Sequence, residues 1–160
     1  QARDEAPHYE HTQIGYNYRM SNVLAGIGRG QMEVLKKRVK QRRANYKYYV
    51  EKLSSLPGIY FQPESKNSYS NRWLTSIVVN PNRSHGITRE TIRLTLEKEN
   101  IEASPLWKPM HLQPIFKKYP FYNNGVSEKL FIDGLCLPSG SNLSRNDLER
   151  IVQIIKGNFD

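Results

Sequence analysis

A cluster of hydrogen-bond donors lies directly ahead of a predicted helix near the start of the chain, in the segment Gly15-Tyr16-Asn17-Tyr18-Arg19-Met20-Ser21-Asn22. Asn17 offers a neutral amide and Arg19 a guanidinium, while Ser21 or Asn22 can cap the first turn of the helix. A helix N-terminus has unpaired N–H groups and a positive dipole end, so a phosphate or another anion can bind there. The alternative is an aromatic loop that only docks a capped helix. The pattern alone leaves both interpretations open.

Other patterns that carry chemistry are missing from the sequence. It contains no Ser-His-Asp motif, no zinc-ligand spacing and no phosphate-binding P-loop. The spacing of His8 and His11 would allow both to bind one metal ion. A metal site needs further ligands, however, and Pro7 argues against a helical conformation of this segment. We therefore predict no metal site. The glycine-rich stretch 26–30 does not match the dinucleotide fingerprint, and no predicted strand precedes it.

The longest predicted element is a helix that starts at residue 21 or 22. Its apolar residues recur at helical spacing, and no proline interrupts the run before Pro57. We expect one long helix, or two helices joined by a bend near Gly28–Gly30, because glycine lowers helix propensity. Because glycines at these positions lower the stability of the helix, we expect another backbone or a cofactor to pack closely against the helix here.

The rest of the chain predicts a small sheet with further helices. The predicted strands cover 59–61, 72–79, 101–104 and 135–137, and the predicted helices cover 89–100 and 127–133, with a last one capped by Ser144 and stopped at Gly157. Residues 106–121 are rich in aromatics and prolines, which is typical of a binding loop or of a packed irregular lid. This order predicts an α+β fold with the helices on one face of a small sheet.

Composition limits the class of protein. The chain has 160 residues and a formal net charge of +9, which raises the question of acidic partners such as phosphates, nucleotides or nucleic acid. The basic residues of 36–47 indicate a nucleic-acid surface or a solvated helix face, and we favour the solvated face.

Cys136 is the single cysteine, which excludes an intrachain disulfide and fits a reducing cytoplasm. With no apolar run that could span a bilayer, we expect a soluble cytoplasmic protein without membrane insertion.

The segment 15–22 and the small-residue helix after it closely resemble the pyridoxal phosphate (PLP)-dependent nucleotide-sugar aminotransferases of the DegT/DnrJ/EryC1/StrS family. The resemblance covers nearly the whole chain and corresponds to the C-terminal portion of such an enzyme, and the initial Gln also indicates a piece of a longer protein. The segment Leu106-Trp107-Lys108-Pro109-Met110-His111 is most similar to the bacterial UDP-4-amino-4,6-dideoxy-sugar (bacillosamine-pathway) branch. The further matching motifs are Arg42-Arg43, Arg72-Trp73, Pro105-Leu106-Trp107-Lys108-Pro109-Met110-His111 and Leu137-Pro138-Ser139-Gly140.

This resemblance implies the small C-terminal domain of a fold type I, homodimeric enzyme. Residues 1–21 would be the lead-in from the large PLP-binding domain, and 22–160 would form the small domain with its long connecting helix. Such an enzyme moves an amino group from glutamate to a 4-keto-6-deoxy nucleotide (UDP) sugar, with pyridoxal 5'-phosphate as cofactor.

The resemblance also implies roles for five residues. Asn17 would reach the PLP phosphate of the partner subunit, and Arg19 would face the carboxylate of glutamate or a substrate phosphate. Trp107, Lys108 and His111 would lie near the sugar nucleotide. Two alternatives stay open: Arg19 as a structural partner of a carboxylate, and a 106–121 loop that only closes the site.

One part of the family pattern has no match in this chain. The family's Schiff-base lysine, the aspartate that pairs with the pyridinium nitrogen and the aromatic that stacks on the ring lie upstream of the segment that matches Asn17. We therefore expect no catalytic residue in the chain and no activity from the chain alone. Two alternatives without catalysis remain: a basic nucleic-acid-binding module, and a dimerisation domain with an exposed apolar face.

Overall fold

The computed structural model describes residues 2, 4–5, 7–8 and 10–159. The chain divides into two units, residues 1–36 and residues 37–160. Helix α1 (Asn22–Leu53) begins in the first unit and ends in the second. The Ser21 hydroxyl accepts the Leu24 N–H at 3.3 Å, and the Ser21 carbonyl accepts the Ala25 N–H at 2.9 Å. The predicted start of this helix is therefore confirmed, and of the two predicted forms the chain adopts the single helix.

The lead-in segment of the first unit contains neither helix nor strand in its described residues. Asp4 organises part of it, since its carboxylate accepts the Thr12 N–H at 2.8 Å and its own N–H donates to the Glu10 carbonyl. His8 lies 3.2 Å from the Glu10 carboxylate. Within the described part of the chain, no three His, Cys, Asp or Glu side chains come together as a metal-binding group.

The second unit contains a four-stranded antiparallel sheet in the order β1-β2-β4-β3. Its strands are β1 (Ile59–Phe61), β2 (Thr75–Val79), β3 (Ser104–Pro105) and β4 (Gly134–Leu137). In the central pair, Thr75 lies opposite Leu137 and Ile77 opposite Leu135. Strand β4 is buried along its whole length, as expected for a central strand between two others.

Three further helices follow, namely α2 (Arg89–Lys98), α3 (Val126–Asp133) and α4 (Arg145–Lys156). Thr88 and Ser144 each accept the backbone N–H of the residue three positions on, in reciprocal capping boxes. Such caps satisfy N–H groups that would otherwise lack a partner in the first helical turn. The predicted cap at Ser144 is confirmed. Among the described residues, no helix has the length and apolarity that a membrane crossing requires.

Two strand predictions are wrong in extent. Residues 72–74 lie outside β2, because Arg72 has a φ of +50° and the Asn71 side chain accepts the Trp73 N–H at 3.0 Å, which turns the chain. Strand β3 is Ser104–Pro105, so residues 101–103 of the predicted strand lie outside it and Pro105, just beyond the predicted end, is included. Proline is tolerated there because β3 lies at the edge of the sheet, where a missing N–H breaks no ladder bond.

The core of the second unit lies between the sheet and helices α1, α2 and α4. Along β2, Thr75, Ile77 and Val79 are buried while the alternate residues are less so. The largest buried side chains from the helices are Tyr49, Leu53, Ile92, Leu96 and Ile155. The predicted α+β fold is confirmed.

Candidate functional site

Asn17 and Arg19 share one tight turn in the first unit. The Asn17 Oδ1 accepts the backbone N–H of Arg19 at 3.3 Å. This bond uses the amide oxygen and leaves the two N–H donors of the same side chain for another acceptor. Both residues are exposed. Asn17 is therefore oriented as a hydrogen-bond donor just ahead of a helix N-terminus.

The positive end of the α1 dipole is not neutralised by its own sequence. The first turn of α1 carries no acidic residue. Nor does any carboxylate among the described residues form an ion pair with the Arg19 guanidinium. Donors and positive potential therefore coincide at 17–22, which suits a phosphate or a carboxylate. The alternative of Arg19 as a structural ion-pair partner finds no support in the described residues.

Aromatic and aliphatic side chains surround this turn and remain exposed. Tyr16 and Tyr18 stack with their ring centroids 5.6 Å apart. Exposed apolar side chains continue along the first turns of α1 at Val23, Leu24 and Ile27. Apart from the neighbouring backbone of α1 itself, no described residue has a heavy atom within 4 Å of a Cβ built on Gly26, Gly28 or Gly30.

The 106–121 loop lies in the second unit and contains two 3₁₀ turns, Met110–Leu112 and Pro114–Phe116. Trp107 stacks on Trp73 with ring centroids 6.2 Å apart, and the two indoles remain 67% and 59% exposed. Lys108 is exposed, and its ammonium makes no ion pair with any described residue. The loop therefore presents an indole pair beside an unpaired cation.

Arg42 of α1 holds the backbone next to this indole pair. Its Nη1 donates to the Trp73 carbonyl and, at 3.1 Å, to the Ser139 carbonyl. The Ser139 hydroxyl donates to the Leu137 carbonyl at 2.7 Å and accepts the Thr75 N–H at 2.7 Å. One guanidinium thus joins α1, the approach to β2 and the end of β4. Two of the motifs that carry the family resemblance meet at this arginine.

Arg43 and Arg72 hold the 62–73 loop, which precedes β2, through the shared carboxylate of Glu64. Arg43 donates to both oxygens of Glu64, at 2.7 and 3.0 Å, and lies over the Tyr69 ring at 4.1 Å. Arg72 approaches Glu64 at 3.9 Å and lies over the Tyr46 ring at 3.8 Å. The hydrogen bond from Arg43, followed by that from the Ser70 N–H, lowers the pKa of Glu64 to about 2. Glu64 is therefore an ionised anchor of this loop.

His111 is fixed on two sides. Its Nε2 lies 2.7 Å from Glu128 Oε1, and its ring stacks on Phe121 with centroids 4.5 Å apart. The same Glu128 oxygen accepts the Asn123 amide at 2.7 Å. The side chain of His111 is only 12% exposed. Of the predicted site residues in the second unit, His111 is the one that other side chains hold in place.

Sequence reasoning missed three residues that build this region: Arg42, Glu64 and Glu128. Arg42 was noted only as part of a matching motif and of a basic run, since nothing local showed that it would join two distant carbonyls. The signal for Glu128 was present, because it is the acidic residue in the first turn of α3. Its pairing with His111, seventeen positions away, required the fold.

Comparisons with known proteins identify the family of the chain. The model of the DegT/DnrJ/EryC1/StrS aminotransferase family matches residues 1–156. EpsN of Bacillus subtilis (strain 168), whose name assigns it a pyridoxal phosphate-dependent aminotransferase activity, is 45% identical over 159 residues. That alignment covers 97% of this chain and 40% of EpsN. GDP-perosamine synthase of Vibrio cholerae is 30% identical over 95% of this chain and 41% of its own length.

Solved structures show the same fold. The aminotransferase TlmJ from Streptoalloteichus hindustanus superposes with a TM-score of 0.83 at 21% identity, covering 98% of this chain and 41% of TlmJ. The chain thus spans about two fifths of the length of the relatives that it matches. The family model accounts for nearly every residue from the Asn17 turn to the end of α4, and the chain belongs to the DegT/DnrJ/EryC1/StrS aminotransferase family.

Proposed function

We propose that the chain is the C-terminal part of a PLP-dependent aminotransferase that moves an amino group from glutamate to a 4-keto-6-deoxy sugar of a nucleoside diphosphate. The observation that carries the proposal is the Asn17 turn. Its amide oxygen is already bonded to the Arg19 N–H, so its N–H donors are free for an anion ahead of a helix N-terminus. Pyridoxal phosphate, when bound, supplies the electron sink that amino-group transfer needs.

The roles of this chain's residues follow from their chemistry. Asn17 donates to the cofactor phosphate of the partner subunit, and Arg19 pairs with the glutamate carboxylate or a substrate phosphate. Trp107, Lys108 and His111 face the sugar nucleotide: the indole covers an apolar surface, the ammonium meets a phosphate, and the imidazole meets a polar group of the sugar. These side chains bind and orient the reactants, and no proton or covalent bond is assigned to them.

The test of this proposal is Asn17→Ala in the full-length protein that carries the chain. We expect weaker cofactor retention with little change in melting temperature, because Asn17 is exposed and supports no core packing. Ser54→Ala, an exposed position beyond the end of α1, is the matched control. Unchanged cofactor affinity with a lower melting temperature would support the capped-helix interpretation instead.

The proposal also concerns which nucleotide carries the sugar substrate. Our first candidate is a UDP-linked sugar, on the resemblance of residues 106–111 to the bacillosamine-pathway branch. The second candidate is a GDP-linked sugar, which is favoured by the 30% identity to GDP-perosamine synthase. Turnover of the full-length protein with matched UDP- and GDP-linked 4-keto-6-deoxy sugars decides between them, because the two substrates differ only in the base.

We propose further that the active protein is a cytoplasmic homodimer and that the isolated chain is inactive. Exposed apolar side chains along the first unit, such as Leu24, Ile27 and Met32, support association with a second copy. No lysine of the chain matches the family's cofactor-bearing lysine. Incubation with pyridoxal phosphate, borohydride reduction and peptide mass mapping should therefore find no single modified lysine. One specific adduct with turnover would contradict the proposed inactivity.

The salt dependence of nucleic-acid binding separates this proposal from a nucleic-acid-binding module. We expect only weak binding of the chain to random DNA or RNA, which disappears at modest salt, because Arg42 and Arg43 are already bonded within the chain and the other cations of 36–47 lie on a solvated helix face. Strong binding that persists at near-physiological salt would favour the module instead.

A further inference from the structure

The pairing of His111 with Glu128 restricts what the imidazole can bind. A carboxylate at neutral pH has no proton to donate, so the ring nitrogen that faces it must carry one. That nitrogen is Nε2, 2.7 Å from Glu128 Oε1. In the neutral ring the other nitrogen, Nδ1, is then a hydrogen-bond acceptor.

The surroundings of Glu128 keep its carboxylate in place. Glu128 lies in the first turn of α3, where the positive end of the helix dipole favours a negative charge. Asn123 donates its amide to the same oxygen at 2.7 Å, and its own Oδ1 accepts the Gly125 N–H at 2.8 Å. The loop that leads into α3 therefore helps to orient the Glu128 carboxylate towards the histidine.

The ring of His111 is held by stacking as well as by Glu128. Phe121 stacks on one ring face with centroids 4.5 Å apart, so tilting of the imidazole would break the stacking, and a flip of the ring would break its hydrogen bond to Glu128. Within the described residues, Nδ1 has no hydrogen-bond partner, whereas Nε2 has one. A fixed acceptor beside a half-buried aromatic ring matches a hydroxyl or an amino group of a ligand, and it does not match a phosphate oxygen.

We infer that Glu128 is a positioning residue that holds His111 in the Nε2–H tautomer, so that Nδ1 accepts a hydrogen bond from a hydroxyl of the sugar substrate. The ligand part of this inference rests on the proposed function. The tautomer part concerns the chain alone and is tested without cofactor or turnover.

The first test is nitrogen NMR of the histidine-labelled 160-residue chain at a pH where the imidazole is neutral. The resonance of His111 is identified by its loss in His111→Gln. We expect a protonated Nε2 and an unprotonated Nδ1 in the wild-type chain. Glu128→Gln should give a mixture of tautomers, because an amide can both donate and accept. Glu97→Gln, which changes an exposed carboxylate that pairs with Arg93, is the matched control and should leave the tautomer of His111 unchanged.

The wild-type spectrum decides the tautomer even if Glu128→Gln fails to fold. A protonated Nδ1, or a mixture of tautomers in the wild-type chain, would overturn the inference. So would a Glu128→Gln spectrum identical to that of the wild type in a chain whose circular dichroism shows an unchanged fold.

The second test is steady-state kinetics of Glu128→Gln in the full-length protein. Loss of one oriented hydrogen bond to the sugar should raise the KM for the sugar nucleotide by roughly three- to tenfold. The kcat and the KM for glutamate should change little, whereas a merely structural defect would lower kcat and the melting temperature together. An unchanged sugar KM would overturn the ligand part. Failure of the proposed function itself would appear differently, as no transamination by the unmodified protein.

Discussion

Arg43 and Glu64 form a bidentate ion pair, with Nη1–Oε1 and Nη2–Oε2 distances of 2.7 and 3.0 Å. The geometry is the parallel fork that favours arginine over lysine for binding a carboxylate. The pair attaches the 62–73 loop to α1, and this loop leads directly into Trp73. The ion pair therefore restrains the loop that carries Trp73, one member of the exposed indole pair.

Glu64→Gln is expected to change the acid stability of the chain. The pKa of Glu64 is lowered to about 2, first by the Arg43 hydrogen bond. A lowered carboxyl pKa adds stability that is present above the unfolded pKa, near 4.3, and is lost as the pH falls towards 2. The melting temperature of the variant should therefore lie below that of the wild type at pH 7, and the difference should close between about pH 4 and pH 2. Thermal unfolding across this pH range measures it.

The control for this acid titration is Glu97→Gln, which removes a carboxylate that also pairs with an arginine but is 62% exposed. Exposed ion pairs contribute little to stability, so this variant should follow the wild type at every pH. A Glu64→Gln difference that persists unchanged at pH 2 would contradict the prediction.

Arg42→Lys is expected to destabilise the second unit by about 1.5–3 kcal/mol, the range for hydrogen bonds to a charged group. Both bonds come from Nη1, and the lysine side chain is one bond shorter, so its ammonium cannot take the position from which Nη1 reaches the carbonyls of Trp73 and Ser139. Urea unfolding followed by tryptophan fluorescence measures the change. Arg38→Lys, one turn earlier on an exposed part of α1, should change stability by less than about 0.5 kcal/mol. Equal effects of the two variants would rule out a special role for Arg42.

Gly134→Ala is expected to cost about 1–3 kcal/mol, the usual range for overpacking. A Cβ at this position would lie 2.2 Å from Leu106 Cδ1 and 2.3 Å from the Leu130 carbonyl oxygen. The Leu130 carbonyl is backbone and cannot rotate away, so strand β4 or helix α3 must shift. Chemical denaturation provides the measurement.

Gly28→Ala is the opposite case, because among the described residues only the neighbouring backbone of α1 lies close to a Cβ there. Alanine in a helix interior is favoured over glycine by about 0.5–1 kcal/mol, so this variant should stabilise the isolated chain. In the proposed homodimer the same change should weaken association if a second backbone approaches α1. Isolated-chain stability and dimer affinity would then move in opposite directions.

Ser144→Ala is expected to destabilise α4 by about 1 kcal/mol, the typical value for loss of an N-cap. The Ser144 hydroxyl accepts the Asp147 N–H at 3.2 Å, and the Asp147 carboxylate accepts the Ser144 N–H at 2.8 Å. Helix α4 buries Leu148, Ile151 and Ile155 in the core, so fraying at its start should lower global stability. Ser141→Ala, in the loop before the cap, is the control and should be neutral in the same urea titration.

Local patterns in the sequence determined the elements of this protein and its family. The caps at Thr88 and Ser144, the helical spacing of α1 and the short apolar strands act through neighbouring residues, so each can be recognised without the fold. The motif at 15–22 indicated the family only by its resemblance to the sequences of that family, because its donor cluster and helix cap by themselves left an anion site and a docking loop both open.

Tertiary structure alone decided the contacts that hold the candidate site. Arg42 lies 31 positions from Trp73 and 97 from Ser139, and His111 lies 17 from Glu128. A side-chain contact between such distant residues depends on how strands and helices pack, which no local propensity encodes. The left-handed backbone at Arg72 and the edge position of Pro105 also depended on their surroundings, because the paired sheet and the loop bonds override what each residue prefers by itself.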